Sequence, residues 1–267
     1  MQRQHLDGLW DQHGHALDYL VYAYLQEGRD REAKTVADQA AGVTATFPAT
    51  SLTNDYALAA IPARYLLERD RWEAAKALAV RPAPAWRAAE GLTHFARALG
   101  AARSGDSVSA RAEIDSLRQL EEIVANIKAQ TYWSTQVRIQ RLAASAWLSK
   151  LAGDTAGALA AAKAAAELED VTEKHPVTPG ALLPARELYG DLLLELARPA
   201  DARVAYEASL ARQPNRARSL FGAARAAELT GDRAAARQRY QELEKLLSAG
   251  DGDRPALAAA RKALASR

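Results

Sequence analysis

Along most of the chain apolar residues recur every three or four positions, in runs separated by short polar breaks. That is the period of an amphipathic helix, whereas the apolar residues of a strand alternate. The pattern predicts helices near 5–26, 30–42, 51–68, 71–79, 84–103, 107–126, 129–151, 155–169, 181–197, 199–212, 216–230, 233–248 and 254–266. Arg81-Pro82-Ala83-Pro84 cannot continue a helix and reads as a linker. Asp170 to Pro184, with Pro176, Pro179 and Gly180, is the longest irregular stretch. Asp251-Gly252-Asp253 ahead of Arg254-Pro255 reads as a cap followed by a first-turn proline.

One signature recurs between adjacent helices: a Gly followed five residues later by Ala. It occurs as Gly28/Ala33, Gly105/Ala110, Gly153/Ala158 and Gly231/Ala236. Arg69/Ala74 and Ala197/Ala202 keep the Ala without the Gly. The Gly suits a left-handed turn closing one helix, and the Ala lets the next helix approach closely. The unit is therefore an antiparallel helix pair. Successive signatures at 28, 69, 105, 153, 197 and 231 are 41, 36, 48, 44 and 34 residues apart, so the middle units are degenerate.

These units resemble the tetratricopeptide repeat (TPR) family, whose roughly 34-residue pattern places apolar or small residues on the first helix, then Ala, an aromatic and Pro on the second. The fifth unit matches with Gly190, Leu193, Ala202, Tyr206 and Pro214, the sixth with Leu220, Ala223, Ala224, Ala227, Ala236 and Tyr240, and the first with Leu17, Leu20, Val21, Tyr24 and Ala33. Arg97 and Ser149 depart from it, in the third and fourth units. HALDYLVYAYLQEGRDREA from His15, GLTHFARALGAARSGD around Leu92 and EKHPVTPGALLPARELYGDLLLEL from Glu173 are similar to stretches of uncharacterised bacterial TPR-repeat proteins. Those look longer, which would make this chain a C-terminal portion.

The resemblance implies an all-α, right-handed TPR-like solenoid of about six helix-turn-helix units, near 14–42, 55–80, 86–126, 130–169, 183–215 and 217–248, with a cap at 254–266, in a single domain over 1–267. It implies a non-catalytic scaffold that binds a protein or peptide on its concave face. Carried over position by position, the groove-lining residues are His15, Asp18, Tyr22 and Gln26, then Tyr56, Ala59, Ala63 and Leu67, then Phe95, Arg103, Gln140 and Lys150. Glu187, Asp191, Arg218, Phe221 and Arg225 complete the set. Tyr and Arg would be the anchors.

Composition narrows the field. The chain has 267 residues, 63 of them Ala, with 15 Gly, 10 Pro and no Cys, which disfavours β architectures and excludes disulfides, thiolate metal sites and a cysteine nucleophile. A formal net charge of +2 gives no general pull towards nucleic acid or anionic membrane. From Arg198 onward, however, 14 Lys/Arg face 8 Asp/Glu, so that stretch is +6. Interleaved acids favour a solvated face there over a phosphate track. The longest uncharged run, 39–54, carries four Thr, a Ser and a Pro and is unlike a membrane span, and the N-terminus has no signal-peptide pattern. The compartment stays open, cytoplasmic by default and periplasmic if upstream sequence is missing.

Candidate chemistry is sparse. His13, His15 and Asp18, with His5 nearby, form the one His cluster and the basis of the alternative reading, a metal-binding protein or metal-dependent hydrolase. A polar helix surface is the plainer reading. His94 falls at a packing position with no Ser or carboxylate at triad spacing. Lys174 and His175, in the Pro-rich stretch, read either as a stiff connection or as a ligand-contacting loop. No cofactor is expected.

Overall fold

The structure is a computed structural model and describes residues 8–81 and 85–265. In chain order the elements are β1 (Leu9–Trp10), α1 (Asp11–Gln26), α2 (Asp30–Ala41), β2 (Thr46–Phe47), α3 (Leu52–Glu68), α4 (Trp72–Lys76) and α5 (Ala88–Arg103). They continue with α6 (Ser107–Ala125), α7 (Thr131–Leu151), α8 (Thr155–Asp170), α9 (Ala185–Glu195), α10 (Pro199–Arg212), α11 (Ala217–Leu229), α12 (Arg233–Leu246) and α13 (Pro255–Ala265). The chain is all-α, and each helix lies inside a segment that the apolar period marks, except that α8 runs one residue further, through Asp170. Three expectations fall partly outside the described residues: the helix start at 5–7, the prolines of 82–84 and the helix end at 266. One differs. Leu9 and Trp10 are extended and pair in parallel with Thr46 and Phe47.

The recurring glycines do what their spacing suggests. Gly28, Gly105, Gly153 and Gly231 have φ of 72, 83, 79 and 79°, the left-handed region that a side chain resists. At each, the following N–H bonds back to the carbonyl five residues earlier, as from Asp106 to Ala101 and from Asp232 to Ala227, both at 2.9 Å. Asp106, Asp154 and Asp232 then accept the N–H three residues on, capping α6, α8 and α12. In the second unit the register is one residue later than expected: the positive φ is on Asp70, not Arg69, and the fully buried alanine is Ala75, not Ala74. In the fifth unit Ala197 takes the left-handed turn, as placed.

Consecutive helices pack, and each odd-numbered helix from α1 to α9 also packs on the next odd-numbered one. Ala33, Ala75, Ala110, Ala158 and Ala202 are all completely buried at the pair crossings. Tyr206 shows why small residues recur. A Cβ at Gly190 would meet its ring at 2.8 Å, and one at Gly222 would meet it at 2.2 Å. Three apolar clusters follow the chain, one over α1–α3, a large one from α3 to α9 and one from the end of α9 to α13. Among the described residues no helix is long and apolar enough to cross a membrane.

The first pair and the last elements meet. The Asp251 N–H donates to the Gly28 carbonyl at 2.9 Å and the Arg31 N–H to the Asp251 carboxylate at 2.8 Å. Leu247 and Gly250 pack on Gly28 closely enough that a Cβ at Gly250 would strike the Gly28 carbonyl at 2.6 Å. Arg254, before α13, chelates Asp30 at the start of α2. That end of the first unit is therefore covered, while Trp10, Leu20 and Phe47 are left exposed.

Candidate functional site

The residues expected to line one open groove fall into four environments. Asp18, Tyr56, Phe95 and Glu187 are buried, at 0, 7, 2 and 0% exposure, and in this conformation offer no surface to a partner. Packing explains this, because the chain itself fills the face they occupy. His15 and Tyr22 are half-buried and turned onto other parts of the chain: His15 Nδ1 lies 3.2 Å from the Val177 carbonyl, and Tyr22 stacks under Arg64 and Arg216. Arg103, Asp191 and Arg218 line a cleft. Arg225 pairs with Glu228 on its own helix, outside the cleft.

Two buried arginines organise the interior, and neither stood out in the sequence. Arg64 of α3 is fully buried. It donates to Asp18 Oδ1 at 3.2 Å, to the Ala181 carbonyl at 2.9 Å and to the Gly180 carbonyl at 3.2 Å. Burial raises the Asp18 pKa and Arg64 opposes the rise. Arg216, ahead of α11, is also fully buried and lies between Glu68 of α3 and Glu187 of α9, the latter at 2.6 Å. Burial works against its charge, and the Glu187 and Glu68 carboxylates more than offset that. Gln26 completes the junction, donating to Glu68 at 3.1 Å and accepting the Ala217 N–H at 3.0 Å. The one available signal was an Arg within the otherwise uncharged run 56–67.

Where these elements converge they leave a cleft of about 930 Å³. Its walls come from the end of α3, α4, Arg103, the end of α9, the start of α11 and α13. Five arginines (Arg69, Arg71, Arg103, Arg218, Arg254) and five acids (Glu68, Asp70, Asp191, Glu195, Asp253) line it, so its charge is balanced, and Trp72, Phe221 and Leu194 add apolar surface. Arg103 is held between Trp147 and Trp72, 4.1 and 5.1 Å from the ring centres, and pairs with Glu195. Arg218 bridges Asp70 at 2.6 Å and Asp191 at 2.9 Å. Asp191 in turn accepts from the buried Tyr206 hydroxyl at 2.6 Å. These side chains are positioned before any ligand arrives, which lowers the ordering cost of binding.

The Pro-rich stretch is clamped. Tyr19 donates to the Pro176 and Thr178 carbonyls at 3.0 and 3.1 Å, and the His175 N–H donates to the Tyr132 hydroxyl at 2.9 Å. The His175 ring packs 4.9 Å from Trp133, and burial lowers its pKa, with Lys174 adding to the effect. Lys174 is exposed and bonds the Thr178 carbonyl at 2.8 Å.

Beneath this stretch lies a second cavity, of about 80 Å³, which reaches Glu169. Burial raises the Glu169 carboxyl from 4.5 to about 7, against the opposing Ala185 N–H. The folded state then holds this proton more tightly than the unfolded chain. Glu169 therefore contributes stability at low pH that is lost as pH rises from about 4.5 through about 7, roughly 1–3 kcal/mol in all. Urea midpoints at pH 5 and pH 8 check this: the wild type should lose more stability across that interval than Glu169→Gln.

The N-terminal histidines do not converge. Asp18 is taken by Arg64, His15 faces Val177, and His5 lies outside the described residues. Among the described residues no group of three or more His, Asp or Glu is placed to hold a metal ion. His94 lies 2.6 Å from a Glu113 carboxylate that it shares with Arg97. Along the basic C-terminal stretch Arg216, Arg218, Arg225 and Arg239 pair with carboxylates, while Arg212 and Arg237 bond carbonyls. No family model, no curated protein and no solved structure matches the chain.

Proposed function

We propose that this protein is a non-catalytic binding module of TPR-like construction that takes a protein or peptide segment in the cleft bounded by α3, α4, α9, α11 and α13. The cleft carries the reading: about 930 Å³, walled by pre-positioned charges of both signs and by Trp72 and Phe221. Its size suits a few residues of an extended chain, and its balanced charge suits a segment with both an acidic and a basic side chain beside an apolar one. The glycine turns and buried alanines of the helix pairs support the TPR-like reading. The internal pairing of the C-terminal arginines argues against nucleic acid as the partner.

A test is selection from a displayed random-peptide library, followed by anisotropy titration of the peptides recovered. Phe221→Ala with Arg71→Ala, both on the cleft, should weaken a true cleft ligand at least about tenfold with unchanged circular dichroism. Arg225→Ala, outside the cleft, should leave binding alone. Failure to select any peptide, or peptides indifferent to the cleft substitutions, would overturn the reading.

A further inference from the structure

Eight of the ten charged residues that line the cleft are already engaged within the protein. Arg218 holds Asp70 and Asp191, Arg103 holds Glu195, Arg216 holds Glu68, and Arg69 and Arg254 share Asp30. A ligand could use those groups only by sharing or breaking an existing pair, for little net gain. Arg71 and Asp253 differ from the rest. Both are exposed, and neither has an ion-pair partner within 4.0 Å among the described residues. Each directly follows a left-handed residue, Asp70 with φ of 53° and Gly252 with φ of 80°. The Arg71 N–H is tied to the Leu66 carbonyl at 2.9 Å, and Arg254, next to Asp253, is buried against Asp30. Two charges of opposite sign therefore stand free on anchored backbone, ahead of α4 and of α13. Trp72, Leu194 and Phe221 supply the apolar surface of the same cleft.

Resting on the cleft as the binding site, we propose that Arg71 and Asp253 determine which segment it accepts. The partner is an extended stretch of another protein in which a carboxylate meets Arg71, a cationic side chain meets Asp253 and an apolar side chain lies on Trp72, Leu194 and Phe221. The apolar contact supplies most of the affinity and the two free charges supply the selection. A segment with two acids or two bases is rejected, because one of them faces a like charge. The eight paired charges hold the walls in place and leave the choice of ligand to these two.

The experiment takes peptides selected on the wild type whose binding falls in Phe221→Ala, which places them in the cleft. Anisotropy titration then compares wild type, Arg71→Glu, Asp253→Lys and the double variant. Neither residue has an internal ion pair to lose, so circular dichroism should be unchanged. Each single reversal should weaken these peptides at least about tenfold. The same peptides, remade with their acidic and basic side chains exchanged, should bind the double variant within about threefold of the original pair, and the wild type at least about tenfold more weakly. A merely structural role for either residue would give the loss without this rescue. Arg71→Gln and Asp253→Asn, which only remove charge, should each cost at least about threefold and serve if a reversal disturbs the fold. Cleft peptides indifferent to these substitutions, or a loss that the exchanged peptides do not recover, would overturn the assignment and leave the cleft reading intact. Recovery of no peptide sensitive to Phe221→Ala would overturn the cleft reading and the assignment with it.

Discussion

Arg216→Met should lower the free energy of unfolding by about 3–5 kcal/mol, the largest loss expected of any single charged residue in the protein. The guanidinium is fully buried and, among the described residues, supplies the only counter-charge within 4.0 Å of Glu68, while Glu187 keeps Ser219 and lies 3.4 Å from Arg218. Removing the arginine leaves a carboxylate buried without compensation, a cost well above the worth of the pair itself. Pairing Arg216→Met with Glu68→Gln should therefore recover much of the loss, because the orphaned charge is gone. Urea denaturation of the three proteins settles the matter; a single-variant loss below about 1 kcal/mol would show that the interior is not organised around this residue.

Arg64→Met should cost a similar amount, about 3–4 kcal/mol, with a different local signature. Its donors hold Asp18 on one side and the carbonyls of Gly180 and Ala181 on the other. Without them the Gly180 and Ala181 carbonyls lose their bonds to α3, while Tyr19 and Tyr132 still grip the earlier part of the stretch. Native-state hydrogen exchange should report faster opening there while α5 to α7, far along the chain and tightly packed, stay protected. Uniform loss of protection over all helices would mean that Arg64 acts on global stability alone.

The helices were legible in the sequence because their signals are local: an apolar stripe throughout, and in several units a left-handed Gly followed by a capping Asp. The slip in the second unit has an equally local cause. Ala74 and Ala75 are adjacent and identical, so the spacing rule cannot choose between them, and Asp70 tolerates a positive φ that only a glycine would have advertised. The site was legible in part. Arg103, Asp191 and Arg218 do face the cleft, whereas Asp18, Tyr56, Phe95 and Glu187 are buried by segments far away in sequence. Contacts such as Glu68 with Arg216 or Asp30 with Arg254 join residues 148 and 224 positions apart. No period encodes such pairs, and a charge destined for the interior looks in sequence like one destined for solvent.

The claim on which the cleft depends is that the first helix pair meets the last. Because the chain contains no cysteine, Lys34→Cys with Ala249→Cys places two spin labels on exposed sites without other changes. Gly28 and Gly250 are in contact, and Lys34 lies about one and a half helical turns beyond Gly28, so pulsed electron–electron resonance should give one narrow distribution near 20–25 Å, roughly. An open stack of helix pairs spaced about 10 Å apart would instead place the labels beyond about 40 Å. That longer distance, or a broad distribution spanning both, would contradict the closed arrangement and the cleft it forms.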